Sequence, residues 1–317
     1  MSDLRLSVVT VSWMTGSHLM DAVTAVLAAP GVDEFVMVSH ENPPEVVQGL
    51  RNLAAAHPEF VLIETDANLG FSKGCNIGAR AASGELVLFL NPDAILAPGS
   101  ALQLKQSALA VKQRPWIIGA RILNQDGSEQ AGGRRGELTP HTAAVSFLRL
   151  DRLIPGLQSL HWERRALPEA MERVPTVSGA ALMMRQADFL AIGGFDERYF
   201  LHVEDIDICR TVREAGGEVW FEPRVDILHF GGTSQSSPMR VETHKAAGFV
   251  KYFWKFYPGP LQRLTTVLAI VPIYGAIWAR VIWLSLRGRM RVVLFKLRAR
   301  LRLSRQRRAR GAGDDQA

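Results

Sequence analysis

The stretch Leu86-Val87-Leu88-Phe89-Leu90-Asn91-Pro92-Asp93 decides how the chain is read. Five apolar residues with no polar alternate describe a strand buried on both faces, as in a parallel sheet covered by helices. The run stops abruptly at two oxygen-bearing side chains one residue apart, so Asn91 and Asp93 are expected to point toward the same ligand. A hard cation such as Mg²⁺ or Mn²⁺ takes one or two carboxylates and completes its shell with phosphate oxygens and water. The same Asn-Pro-Asp also reads as a turn, for which these residues are favoured.

Working outward, strands are predicted over 5–12, 34–39 and 60–64 as well as 86–90. Helices are predicted near 17–29, begun by Ser17, and near 43–57, opened by Pro43-Pro44, with a small-residue helix before the last strand. This β-α-β-α-β-α-β order calls for an α/β fold with a mostly parallel, doubly wound sheet. Ligands of such sheets bind beyond the carboxyl ends of the strands. A second region, 174–230, brings an apolar stretch, a turn at Gly193-Gly194, the acidic cluster Glu204-Asp205-Ile206-Asp207 and two strand-like segments ending at His229. Between the regions, 124–173 is rich in Gly, Arg and Pro and reads as a variable, mobile connection.

A chain of 317 residues, 47% of them apolar, can bury one large core with additions and is far from a disordered composition. The formal charge of +6 sits in the tail: 287–310 carries eleven of the 37 Lys and Arg and no acid, leaving 26 bases against 29 acids before it. Cys75 and Cys209 are too few for a disulfide framework, and the first residues run directly into a strand pattern with no signal-peptide character. A cytoplasmic protein is therefore expected.

Asn68-Leu69-Gly70-Phe71-Ser72-Lys73-Gly74-Cys75-Asn76-Ile77-Gly78 opens a helix after a strand, with glycines that let backbone or ligand approach closely. It has neither the dinucleotide-binding nor the phosphate-loop spacing. Asn68 and Asn76 are candidates for ligand contacts, while Gly78 equally suits helix–sheet packing.

The stretch from Asn68 to Asp93, joined to Val177-Ser178-Gly179-Ala180-Ala181-Leu182 and to the run from Gly193-Gly194-Phe195-Asp196 through Glu204-Asp205-Ile206-Asp207, resembles glycosyltransferase family 2, most closely its rhamnosyltransferase-like branch. The resemblance spans about residues 5–235 and implies a Rossmann-like GT-A fold. A nucleotide-sugar half (1–123), the connection (124–173) and an acceptor and catalytic half (174–235) follow from it.

It also implies an inverting transfer from a nucleotide-diphosphate sugar, dTDP-L-rhamnose or another dTDP- or UDP-sugar, to a glycan or lipid-linked acceptor. Asn91-Pro92-Asp93 takes the place of the family's metal motif, with Asp93 its surviving carboxylate. His229 matches a position where an imidazole ligand of Mg²⁺ or Mn²⁺ is added; a lone histidine is otherwise more often a packed or surface residue. Asp205 matches the catalytic base, since an acceptor hydroxyl needs a carboxylate to take its proton. Glu204 is assigned to acceptor hydroxyls.

On the donor side the resemblance implicates Ser12, Trp13, Glu41, Asn68, Gly70, Phe71, Asn76, Asn91 and Gly179. Met14 and Ser39-His40-Glu41-Asn42 depart from the family, which usually has Asn at the first place and Asp-Asn at the second. The acids at 204–207 also suit plain charge stabilisation of a helix N-terminus, and Asp207 with Arg210 is expected to form a structural pair. The weakened metal motif leaves open a second class, a transferase-like binding or scaffold protein without turnover.

The C-terminal extension, 236–286, is aromatic and apolar, and 287–317 is the basic tail. The apolar part, 264–286, is interrupted by Pro272 and Arg280 and suits an interfacial helix better than a spanning one. The bases after it would be drawn to anionic headgroups, placing the protein peripherally at the inner face of the cell membrane. A core or oligomer helix with a solvated tail is the alternative. No base-reading module accompanies the tail, so no nucleic-acid partner is expected.

Overall fold

The computed structural model describes residues 4–260 apart from Pro155, Gln235 and Ser236, and scattered positions as far as Met290. One compact unit runs to Ala269, and the remainder forms a second. Positions in 264–286 are described only in part and 291–317 not at all, so the expected interfacial helix and lipid-binding tail lie outside the described residues. Among the described residues, no helix is long and apolar enough to cross a membrane.

In chain order the first half comprises β1 (Leu6–Trp13), α1 (His18–Leu27), β2 (Glu34–His40), α2 (Pro44–Ala56), β3 (Phe60–Thr65), α3 (Phe71–Ala81), β4 (Leu86–Leu90), β5 (Ala94–Leu96), α4 (Ser100–Ala110) and β6 (Trp116–Leu123). The second half comprises β7 (Arg134–Arg135), α5 (Pro140–Phe147), β8 (Glu172–Arg173), β9 (Thr176–Val177), β10 (Ala181–Arg185), α6 (Gln186–Ala191), α7 (Glu204–Glu214), β11 (Glu218–His229) and α8 (Pro238–Phe256). The main sheet runs β3-β2-β1-β4-β10-β6-β11-β5, with β8 beside β11. Strands β3, β2, β1 and β4 are parallel, β10 is antiparallel to both β4 and β6, and β6 and β11 are again parallel.

Period-two alternation sorts the buried strand residues into two cores. Leu86, Leu88 and Leu90 join Leu19, Val23, Leu50 and Leu104 on one face, and Val87 and Phe89 join Cys75, Phe189, Phe195, Ile208 and Val212 on the other. Because β4 is buried on both faces it shows no polar alternate, which is why its sequence reads so plainly. A β-carbon on Gly78 would lie 2.5 Å from Val9 Cγ1, and one on Gly74 2.7 Å from Val11 Cγ1, so these two glycines serve helix–sheet packing.

Two expectations need correcting. The two strand-like segments ending at His229 are one strand, β11, whose register against β6 shifts between Glu222 and Asp226. Pro223 lies in that shift, where a residue without an N–H is tolerated. Asp207 does not pair with Arg210: it accepts from Tyr199 Oη at 2.8 Å and Lys255 Nζ at 2.7 Å, while Arg210 bonds Glu214 and Tyr257. The Lys255 bond fastens α8 to α7, and Tyr252 and Phe253 are fully buried. The structure thus joins α8 to a unit that the sequence reading ended at 235.

Candidate active site

At the carboxyl end of β4 the chain turns through Asn91-Pro92-Asp93 into β5, with Ala94 N donating to Asn91 O. Strand β5 pairs with the end of β11 in a register that sets Ala94 opposite His229. That register brings the imidazole to Asp93, with His229 Nε2 3.1 Å from Asp93 Oδ1 and 3.1 Å from Asn91 Nδ2. Thr233 Oγ1 donates to the other oxygen, Asp93 Oδ2, at 2.9 Å. Burial pushes the Asp93 carboxyl up, but the neighbouring imidazole and the Thr233 hydroxyl outweigh it and hold the group below its usual range.

These donors fit a hard divalent ion. Two ligands at about 2.1 Å in adjacent octahedral positions stand about 3 Å apart, which matches the spacing of Asp93 Oδ1 and His229 Nε2. Among the described residues no three His, Cys, Asp or Glu side chains cluster for a metal. The rest of a shell would fall to Asn91, substrate oxygens and water.

Across the cleft, Val203 ends its loop at φ 76° and His202 at φ 67° before α7 begins. A β-branched residue in the left-handed region is strained, and here it aims the first carboxylates of α7 at the cleft. Asp205 Oδ1 accepts from the N–H of Ile206 at 2.8 Å; Oδ2 accepts from the N–H of Gly179 at 3.1 Å and from Arg135 Nη2. Glycine at 179 suits this close approach, since a β-carbon there would stand 3.1 Å from that of Asp205. Glu204 is buried beside it with Oε2 unpartnered; burial first, and then the Asp205 charge, push its carboxyl well above the usual range. Burial holds His202 down at about 4, so its ring is neutral at pH 7.

One cleft of about 440 Å³ is lined by Trp13, Asn68, Gly70, Phe71, Asn91, Asp93, Gly179, Glu204, Asp205 and His229, all expected from sequence. Ser12, Glu41 and Asn76 are not among its lining residues. Ser12 is fully buried and bonded to Asn42 and Thr15. Glu41 accepts from the Asn68 N–H at 3.1 Å, shaping the turn that precedes Gly70. Asn76 exchanges two bonds with the Phe195 backbone, at 2.8 and 2.9 Å, tying α3 to the Gly193-Gly194 turn.

The cleft also holds residues that the sequence reading did not single out. Arg240, His244 and Lys245 reach it from α8, with the Arg240 guanidinium 5.9 Å from the Trp13 ring. Arg135 reaches it from β7, in the segment expected to be only a connection. Its neighbour Arg134 faces the other way, fully buried, where it forms a two-pronged ion pair with Glu129 and donates to Arg165 O and Ala166 O. Two adjacent arginines show no alternation of polarity, so nothing local marked which of them faced the cleft.

Solved structures of the same fold are glycosyltransferases of the GT-A type. GalNAc-T7, with UDP, GalNAc and Mn²⁺, superposes at TM-score 0.57 and 18% identity over 80% of this chain and 49% of that one. The mannosyltransferase PcManGT of Pyrobaculum calidifontis, with GDP-Man and Mn²⁺, superposes at 0.54 and 14% over 90% and 79%.

The chain belongs to the glycosyltransferase-like family 2, whose model matches residues 4–247. Among curated relatives, the N-acetylglucosaminyl-diphospho-decaprenol L-rhamnosyltransferase of Mycobacterium tuberculosis H37Rv is 26% identical over 71% of this chain and 75% of that protein. Rhamnosyltransferase WbbL of Escherichia coli K12 is 25% identical over 62% and 82%. These relatives put the chain on the rhamnosyltransferase-like branch of the family.

Proposed function

We propose that the protein transfers a sugar, L-rhamnose from dTDP-L-rhamnose as the best reading, to a hydroxyl of a glycan or lipid-linked acceptor with inversion at the anomeric carbon. One observation carries this reading: the Asp93–His229 pair and the Asp205 carboxylate line the same cleft. Asp93 and His229, with Asn91, would hold Mg²⁺ or Mn²⁺, which when bound neutralises charge on the donor diphosphate. Arg240 and Lys245 stand on the same cleft wall and favour the departing nucleoside diphosphate.

Trp13 offers a ring to the nucleobase, with Asn68, Gly70 and Phe71 beside it. Asp205 takes the proton from the acceptor hydroxyl as it attacks in line, and Glu204, held neutral, donates to an acceptor oxygen. Arg135 and the Gly179 N–H fix the Asp205 carboxylate so that Oδ1 is the oxygen presented to the acceptor.

The test is Asp205→Asn. Transfer should fall by roughly 100- to 10,000-fold, the usual worth of a general base, with nucleotide affinity unchanged in calorimetry. Near-normal turnover would remove Asp205 from the role.

We also read the chain as peripheral at the inner face of the membrane, on the strength of the apolar 264–286 and the basic 287–310. A chain ending at Tyr257 should lose sedimentation with anionic liposomes. Equal sedimentation by the shortened and full chains sinks that reading.

A further inference from the structure

The His229 ring is held by a relay of hydrogen bonds whose directions are all settled by one exposed carboxylate. Asp126 can only accept, and Oδ1 takes the Ser128 hydroxyl proton at 2.5 Å as well as the Ser128 N–H at 3.0 Å. These bonds hold the Asp126 carboxyl below its ordinary value. With its proton committed, Ser128 Oγ accepts from Asn124 Nδ2 at 3.0 Å. Asn124 Oδ1 therefore faces Gln130 and accepts from its Nε2 at 3.1 Å; the same Nε2 donates to the His229 carbonyl at 3.2 Å. Both acceptors are oxygens, so the Gln130 amide has one orientation, with Oε1 2.7 Å from His229 Nδ1. An amide oxygen cannot donate, and Nδ1 must carry a proton.

We propose that Gln130 is a positioning residue that fixes the tautomer of His229, committing Nδ1 as donor and presenting Nε2, beside Asp93 Oδ1, as the ligand atom for a divalent cation. The inference rests on the metal site described under Proposed function and deepens it. A neutral imidazole offers one lone pair, and the hydrogen bond made by its other nitrogen decides which atom bears it. Without Gln130 the proton can sit on Nε2, turned toward Asp93, and the lone pair needed by a cation then faces the wrong way. Thr233 does the matching service for the carboxylate: by engaging Oδ2 it leaves Oδ1 toward the ring. The turn at 124–128 thus reaches the metal position through side chains alone, with Gln130 itself never touching the ion.

Two measurements on the full chain test this, neither of them turnover. The first is ¹⁵N NMR of the neutral His229 ring in metal-free protein. The second is Mn²⁺ affinity, read by electron paramagnetic resonance of the free ion with UDP or dTDP present. Wild type should show the Nδ1–H tautomer. Gln130→Leu should give a mixed or Nε2–H ring and lose roughly 10- to 100-fold in Mn²⁺ affinity, the usual cost of removing the partner that orients a ligand histidine.

Gln130→Glu keeps an acceptor oxygen opposite Nδ1 but gives up the amide donor to Asn124 and the His229 carbonyl; it should keep the Nδ1–H ring and lose less Mn²⁺ affinity than Gln130→Leu. Circular dichroism on each variant separates a folding defect from a tautomer change, and the Glu variant carries the decision if the Leu variant unfolds: an Nε2–H ring in it overturns the inference. An unchanged tautomer or unchanged Mn²⁺ affinity in Gln130→Leu also overturns it. If wild type takes up no Mn²⁺ with either nucleotide, the metal reading fails instead, while the ring spectrum still decides whether Gln130 sets the tautomer.

Discussion

The two sides of the cleft are assembled on different principles. On the side proposed for the donor, Trp13, Asn91 and Asp93 stand at or just beyond the ends of β1 and β4, and the parallel sheet alone delivers them. On the side proposed for the acceptor, the carboxylates at the start of α7 are held by ion pairs from segments far away in sequence: Asp205 by Arg135, 70 residues earlier, and Asp207 by Lys255, 48 residues later. A strand end is a local arrangement. A crossed pair of charges is a tertiary one, and it fails when either segment moves.

Variants on the acceptor side should therefore hurt stability or transfer while sparing nucleotide binding. The largest effect is expected for Lys255→Met, which takes the cationic partner from Asp207, only 4% exposed at its side chain, and leaves it the Tyr199 hydroxyl. Removing one partner of such a pair costs about 3 kcal/mol, measurable by urea unfolding; a loss below about 0.5 kcal/mol, as for an ordinary surface substitution, would show that α8 is not an integral strut. Next comes Arg135→Ala, for which kcat should fall roughly 10- to 100-fold through a misplaced base with an unaltered nucleotide Kd. A weakened nucleotide Kd with intact kcat would move Arg135 to the donor side and blur the comparison.

A separate test concerns Glu204, whose raised pKa gives stability a slope. A carboxyl raised on folding binds its proton more tightly folded than unfolded, so its contribution is fully present below its ordinary 4.5 and is lost as pH rises to about 8. Glu204→Gln keeps a neutral group and has no such slope. The melting temperature of the variant should gain on wild type steadily across that window. A gap that stays constant with pH would mean that Glu204 is ionised throughout.

What was legible in the sequence follows the same division. β4 and Asn91-Pro92-Asp93 were readable because burial on both faces leaves an uninterrupted apolar run and the sheet's geometry puts function at its end. The start of α7 was readable because four residues carry three acids. The pairing of Ala94 with His229, which builds the Asp93–His229 pair, is a register between distant strands and left no local mark.

Arg135, Arg240, Gln130 and Lys255 were missed for the same reason, since a long polar side chain on a loop or helix reads as surface until its partner is placed. The converse error is instructive too. Ser12 and Glu41 lie at strand ends and Asn76 lies midway along α3, and sequence cannot tell whether such a polar group faces a ligand or, as the bonds here show, its own fold.

Strand β7 is only Arg134 and Arg135, yet one guanidinium closes the interior around Glu129 and the next meets Asp205. Because the two residues project to opposite sides, sliding this short strand by one position puts Arg135 in the buried place and Gly136 beside Asp205, or Arg134 beside Asp205 and Gly133 in the interior. Parity therefore matters in 124–133: an inserted or deleted single residue there should disturb Asp205, whereas the exposed residues Arg152, Leu153 and Ile154 should tolerate a change of length with far less effect. The segment is a ratchet with two teeth.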